Sequence, residues 1–208
     1  ELLKGRDVVG IAQTGTGKTA AFVLPILEML IQAKTPVEPK RCTALIVVPT
    51  RELASQIDDN IGKYGDKIYH QRATIVGGMK YPPQVKKLFR GLDIMVATPG
   101  RLEDHLKQGT ISLQDTKIVV LDEADQMMDL GFFPAIRRIM RKAPQDRQTV
   151  LLSATMPKEI RKLANEFLTD PVDVQVAKQG TPIEKIEQMV YLMDRASKRP
   201  FLLAQLEN

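Results

Sequence analysis

Short β-branched runs alternate with longer amphipathic stretches along most of the chain. That alternation predicts strand–helix–strand units: an α/β fold with a parallel sheet flanked by helices on both faces. Strands are expected at residues 7–12, 43–48, 73–76, 93–97, 117–121 and 149–152. Ile118-Val119-Val120-Leu121 is apolar throughout, as befits a strand covered on both sides. Between the strands, Phe22, Pro25, Ile26, Met29, Leu30 and Ala33 recur at helical spacing, and so do Leu53, Ile57, Ile61 and Tyr64. Pro25 is expected to kink or locally break its helix. Loops are expected at 35–40, Gly77-Gly78 and Ala143-Pro144.

The end of the chain reads differently. Thr169-Asp170-Pro171 closes a helical pattern, and the polar stretch 177–184 around Gly180-Thr181-Pro182 reads as a linker. A strand-like run at 186–192 and a helix-like run at 201–206 follow. One strand and one helix cannot bury a core alone, so they are expected to open a second lobe. The expected division is a first lobe over 1–170, a linker over 171–185 and the start of a second lobe over 186–208. The chain starts at Glu1 rather than a methionine, so a piece of a longer protein is expected.

Composition narrows the class. The 208 residues are 43% hydrophobic and 26% charged, which argues against a disordered, collagen-like or membrane-spanning chain. Cys42 has no partner for an internal disulfide, and His70 and His105 give no zinc-site spacing. A reducing, cytoplasmic setting is the default, with no membrane contact. The net charge of +5 permits a polyanionic partner without a sustained basic run to demand one. Met127 and Met128 read as core fillers, Cys42 as a strand-start residue and His105 as a helix-surface residue.

The sharpest chemical signal follows the first strand: Ala12-Gln13-Thr14-Gly15-Thr16-Gly17-Lys18-Thr19, leading into a helix. Apart from Ala12 in place of the first glycine, this is a phosphate-binding loop. Gly15 and Gly17 let backbone N–H groups point at a phosphate, and the helix N-terminus adds its dipole. Lys18 supplies a charge for the β- and γ-phosphates, and the Thr19 hydroxyl suits Mg²⁺. A nucleotide site also needs a carboxylate, and the most apolar strand ends in Asp122-Glu123-Ala124-Asp125. In a parallel sheet both features lie at the carboxyl edge. Asp122 is placed to hold Mg²⁺ and Glu123 to position or deprotonate the attacking water, although acidic residues also suit an ordinary helix start. Ser153-Ala154-Thr155, past another apolar strand, could hydrogen-bond Asp125 and report the state of the site; the same residues equally suit a helix start.

Two more strand–helix junctions pair an N-terminal turn with an arginine: Pro49-Thr50-Arg51-Glu52-Leu53 and Thr98-Pro99-Gly100-Arg101-Leu102. Each can grip a phosphate, and Gly77-Gly78 permits close backbone approach. Such contacts carry no base readout, so a polynucleotide would be held by shape and charge. The bland alternative is an N-cap followed by proline at the first helical position.

Taken in order, Ala12 to Thr19, Pro49 to Ala54, Gly77-Gly78, Thr98 to Arg101, Asp122 to Asp125 and Ser153 to Thr155 resemble the motifs of the DEAD-box RNA helicase family, down to the literal Asp-Glu-Ala-Asp. Ala12 is normal in that family, and the wording around Met127 to Phe132 looks most similar to its bacterial members. The resemblance implies a RecA-like lobe, the first of two, that uses ATP and Mg²⁺ to separate short RNA duplexes. It implies that Ala12, Gln13, Thr14, Gly15, Thr16, Gly17, Lys18, Thr19 and Asp122 bind nucleotide, Thr19 and Asp122 through the metal. Glu123 with Lys18 would be catalytic. Asp125, Ser153 and Thr155 would couple hydrolysis to unwinding, and Pro49, Thr50, Arg51, Gly78, Thr98, Gly100 and Arg101 would contact the RNA backbone. By the same resemblance, the adenine-recognising motif would lie before Glu1 and the arginine fingers after Asn208, so this chain alone is expected to turn over ATP barely or not at all. A nucleotide-dependent RNA clamp or scaffold is the alternative function; a DNA translocase fits the motifs less well.

Overall fold

The computed structural model describes residues 1–13, 15–33, 36–176 and 189–206. Its strands are β1 (Val8–Ile11), β2 (Cys42–Val47), β3 (Arg72–Ile75), β4 (Leu92–Ala97), β5 (Ile118–Leu121), β6 (Gln148–Ser153) and β7 (Val172–Gln175). They form one sheet in the order β3-β4-β2-β5-β6-β1-β7, with every pairing parallel. The helices are α1 (Lys18–Ala33), α2 (Arg51–Tyr64), α3 (Tyr81–Leu88), α4 (Pro99–Lys107), α5 (Ala124–Asp129), α6 (Phe133–Met140), α7 (Lys158–Phe167) and α8 (Lys198–Leu206).

Alternate strand residues feed two cores. Leu45, Val47, Met95, Val119 and Leu121 pack under Leu88 of α3, Leu102 of α4, Met127 of α5, Ile136 of α6 and Ile160 of α7. Ala44, Ile46, Val96, Val120 and Val150 pack under Phe22 and Ile26 of α1 and Ile57 and Ile61 of α2. Both faces of the central strands are therefore covered, which is why they read as continuous apolar runs. Cys42 opens β2 and is buried, and burial pushes its thiol up to about 12, far from a reactive thiolate.

Three expectations are corrected. First, α1 runs unbroken through Pro25. Its buried face, Phe22, Val23, Ile26 and Leu27, anchors the helix on both sides of the one backbone donor that proline lacks. Second, the linker cannot begin at 171, because residues 172–175 form β7 and pair with β1 from Val8↔Val172 to Ile11↔Gln175. This edge strand is mostly exposed and its pairing rests on backbone hydrogen bonds, yet Val172, Val174 and Val176 alternate with polar residues, a strand pattern that the linker expectation passes over; residues 177–185 lie outside the described residues. Third, in the expected strand at 186–192, residues 189–192 are not in a strand, and 186–188 lie outside the described residues. The expected final helix is present as α8. Among the described residues, no helix is long and apolar enough to cross a membrane.

Candidate functional site

Strand order sorts the motifs into two neighbouring groups along the carboxyl edge of the sheet. The strands β5, β6 and β1 are adjacent, so the acidic cluster, the Ser153–Thr155 segment and the glycine-rich loop meet there. The strands β3, β4 and β2 are adjacent too, and gather Gly77-Gly78, Thr98–Arg101 and Pro49–Arg51.

In the first group, the N–H of Ala12 donates to the Ser153 carbonyl at 3.0 Å, tying the glycine-rich loop to the end of β6. The Thr16 hydroxyl donates to the Gln13 carbonyl at 2.8 Å and closes the loop on itself. Gly15 and Gly17 have φ of 83° and 89°, the left-handed region that a side chain resists, and open space lies where a Cβ would stand. Thr14 lies outside the described residues. Lys18 and Thr19 open α1. The Lys18 Nζ is buried and has no hydrogen-bond partner among the described residues. A buried ammonium left in that condition is costly, and an anionic ligand with several acceptor oxygens relieves it. Beside the loop an apolar cleft of about 320 Å³ is lined by Leu3, Gly17, Lys18, Phe22, Pro25 and Leu152.

Asp122 is 2% exposed, and its N–H is tied to the Val47 carbonyl at 3.0 Å. Burial raises its carboxyl to about 6, against the opposing pull of the Lys18 ammonium. A carboxylate held at that cost, near an ammonium with no hydrogen-bond partner among the described residues, suits a site completed by a cation–phosphate pair. Glu123 adopts φ 55°, ψ 52°, left-handed for a residue that avoids it, while its N–H donates to Asp122 Oδ1 at 2.9 Å. Such strain is found where a side chain must point in one direction.

Asp125 completes the group. Its Oδ2 accepts the N–H of Ala154 at 3.1 Å, the N–H of Thr155 at 2.9 Å and the hydroxyl of Thr155 at 3.1 Å. Its own N–H donates to Ser153 Oγ at 3.2 Å. The hydrogen bonds expected between this segment and Asp125 are therefore present, and Ser153 and Thr155 are more than helix-start residues.

In the second group, Pro49 is buried and the Thr50 hydroxyl caps α2 by accepting the Leu53 N–H at 3.2 Å. Thr98 is at the N-cap position of α4, but its hydroxyl accepts the N–H of Gly77 at 3.3 Å instead of capping the helix. Gly78 has φ 74°, and a methyl group there would run into the Arg51 guanidinium. Arg101 Nη1 donates to the Met79 carbonyl at 2.9 Å, and its guanidinium lies over the Tyr81 ring, 5.6 Å from the centroid. Gly100 is exposed, with free space above it. The two arginines thus bracket one loop.

Residues outside the sequence motifs build this group as well. His105 is buried rather than on the helix surface: it stacks on Tyr81 with centroids 4.2 Å apart and hydrogen-bonds Thr110 Oγ1 through Nδ1 at 2.8 Å. Burial, with Arg101 nearby, pushes its pKa down to about 4. Gln84 of α3 is also buried, with its carboxamide turned onto residues 76–80. One clue was legible: Gln84 stands four residues before Leu88, on the face of α3 that enters the core.

A parallel sheet with a phosphate-type loop at its carboxyl edge defines the RecA-like class of nucleotide-binding folds. The DEAD/DEAH box helicase family profile matches residues 1–163, and the chain belongs to that family. It is 46% identical over 207 residues to DEAD-box ATP-dependent RNA helicase 24 of Arabidopsis thaliana, covering 99% of this chain and 27% of that protein. It is 43% identical over 207 residues to ATP-dependent RNA helicase DBP2 of Chaetomium thermophilum, covering 99% of this chain and 37% of that protein. It therefore spans well under half the length of these curated relatives. The crystal structure of a DEAD box protein from the hyperthermophile Methanococcus jannaschii aligns over all of this chain and 54% of its own, at 35% identity and a TM-score of 0.78. A hypothetical ATP-dependent RNA helicase from Sulfolobus tokodaii aligns over 84% of this chain and 49% of its own, at 39% identity and a TM-score of 0.75.

Proposed function

We propose that this chain is the ATP-binding lobe of an ATP-dependent RNA helicase, gripping RNA by its backbone without reading sequence and working with a second RecA-like lobe of the same protein. The observation that carries this reading is the buried Lys18 ammonium, without a hydrogen-bond partner among the described residues, in the neighbourhood of a raised Asp122 carboxyl and beside a glycine-rich loop. Residues 12–19 hold the phosphates in this reading, and Thr19 and Asp122 hold Mg²⁺. Bound Mg²⁺ supplies charge neutralisation at the phosphate oxygens. Glu123, aimed by its left-handed backbone, orients the attacking water and accepts its proton. Asp125 links that carboxylate's helix to Ser153 and Thr155, so a change at the nucleotide reaches the next loop through hydrogen bonds. Arg51 and Arg101, with the N-termini of α2 and α4, grip successive phosphates.

The test has two parts. Titration of this chain with a fluorescent ADP analogue and Mg²⁺ is expected to show binding that Lys18→Ala weakens at least about tenfold; unaltered binding would sink the nucleotide assignment. In the intact protein, matched RNA and DNA strands are compared as stimulators of ATP hydrolysis, with RNA expected to stimulate and DNA not. Equal stimulation by DNA would overturn the RNA assignment.

A further inference from the structure

We propose that Gln84 is a positioning residue for the RNA grip: its carboxamide sets the shape of residues 76–80 and so aims Arg101. The inference rests on the reading of Arg51 and Arg101 as backbone contacts. Gln84 is 5% exposed, and its whole amide is spent on this one segment. Its Oε1 accepts the Val76 N–H at 3.1 Å, and its Nε2 donates to the carbonyls of Val76 at 3.2 Å and Lys80 at 3.3 Å, with the Met79 carbonyl at 3.5 Å. The two bonds to Val76 copy what a neighbouring strand would offer just past the end of β3, which is an edge strand with no further neighbour among the described residues. The bonds to Lys80 and Met79 then fold the chain back toward α3.

The middle of the segment is held by residues of the grip. Gly77 donates to Thr98, Gly78 lies against Arg51, and the Met79 carbonyl accepts from Arg101. Arg51 only lies against this segment, whereas Arg101 is hydrogen-bonded to it, so by fixing the Met79 carbonyl Gln84 acts on Arg101. Pro82 and Pro83 in the first turn of α3 stiffen the path from Lys80 to Gln84. A glutamine kept only for solubility would face water. A buried helix glutamine whose amide is spent on a neighbouring loop fixes that loop's geometry.

The test measures binding of a single-stranded RNA oligonucleotide to this chain by fluorescence anisotropy at fixed salt, for wild type, Arg101→Ala, Gln84→Met and the double variant. Gln84→Met is expected to weaken RNA binding by about two- to tenfold, the equivalent of one net hydrogen bond, with affinity for an ADP analogue unchanged. In the Arg101→Ala background the same substitution should change RNA affinity by less than about twofold, because its effect passes through Arg101. If Arg101→Ala leaves RNA affinity untouched, the reading of the grip itself fails. If Arg101→Ala weakens binding but Gln84→Met does not, or the two effects simply multiply, the role given to Gln84 is overturned. Should circular dichroism show the methionine variant unfolded, Gln84→Glu takes its place in the same cycle. It keeps the acceptor for Val76 and loses the donors, and the same outcomes support or overturn the role of Gln84.

Discussion

Asp125 Oδ2 accepts both the backbone N–H and the hydroxyl of Thr155, at 2.9 and 3.1 Å, so one carboxylate oxygen ties the start of α5 to the loop after β6. The N–H of Ala154 joins them at 3.1 Å. Removing the hydroxyl alone leaves two donors on that oxygen, whereas removing the carboxylate takes the shared acceptor from all three. Thr155→Ala is therefore expected to lower unfolding free energy by about 1 kcal/mol and Asp125→Ala by about 2–3 kcal/mol, measured by urea denaturation. Equal losses, or the reverse order, would contradict a network centred on Asp125.

How much of this was legible in the sequence depends on whether a residue's neighbours are local. The buried strands were legible because both of their faces are apolar, and Lys18 and Asp122 because loop spacing and a strand end are local facts. β7 was legible too, in the alternation of Val172, Val174 and Val176 with polar residues, but so short a run beside a polar stretch is easily taken for linker. Gln84 and His105 have the polarity of surface residues; Gln84 is interior because it is bonded to residues 76–80 past the end of β3, and His105 is buried with Tyr81 of α3 stacked on it. The left-handed backbone of Glu123 leaves no trace in composition at all.

Lys18 shows where stability yields to function. Its ammonium is buried without a hydrogen-bond partner among the described residues, with the through-space pull of the Asp122 carboxyl to offset it, a condition that a ligand with several acceptor oxygens would relieve. Lys18→Met keeps the stem and removes the charge. Without nucleotide, this variant is expected to be as stable as wild type or more so by up to about 1–3 kcal/mol, while losing stabilisation by an added ADP analogue and Mg²⁺. The comparison is a pair of thermal melts with and without ligand. A clearly destabilised apo variant would show that the attraction between Lys18 and Asp122 outweighs the cost of burying the ammonium.

At Glu123 the same opposition runs through the backbone. With φ 55° it occupies a region that costs a side-chain-bearing residue about 1–2 kcal/mol. Glu123→Gly should leave stability unchanged or raise it by up to about 1 kcal/mol. In the intact protein both Glu123→Gly and Glu123→Gln should cut ATP hydrolysis by about a hundredfold or more, with nucleotide affinity retained. Hydrolysis persisting in Glu123→Gln would move the water-positioning role elsewhere.

His105 gives the fold a pH dependence with a definite sign. Its folded pKa is pushed down to about 4 from an ordinary 6.5 by burial, with Arg101 adding to the effect. Between those values the unfolded chain binds more protons than the folded one, so stability falls as pH drops from about 6.5 toward about 4. The contribution is fully present above 6.5. His105→Phe keeps the stack on Tyr81 and removes the titration, so the difference in melting temperature between wild type and variant should shift across that window and be flat above it. NMR titration of the imidazole should give a midpoint near 4; a midpoint near 6.5 would contradict the burial argument.

Asp7 offers the sharpest test of how the far edge of the sheet is held. It is 8% exposed, and its two oxygens accept the N–H groups of Thr149 and Thr169, each at 2.7 Å. One carboxylate thereby joins the start of β1 to β6 and to the turn that leads into β7. Asp7→Ala leaves two backbone donors without acceptors, an expected loss of about 3 kcal/mol, whereas Asp7→Asn keeps one acceptor and should cost roughly half as much. Because the side chains of β7 bury little, that strand should respond first. Hydrogen exchange at Val172 and Val176, whose N–H groups donate to the Asp7 and Ile11 carbonyls at 2.9 and 3.0 Å, should accelerate in Asp7→Ala before exchange in the central β2 changes. Uniform acceleration across the sheet would mean that β7 and the core open as one unit.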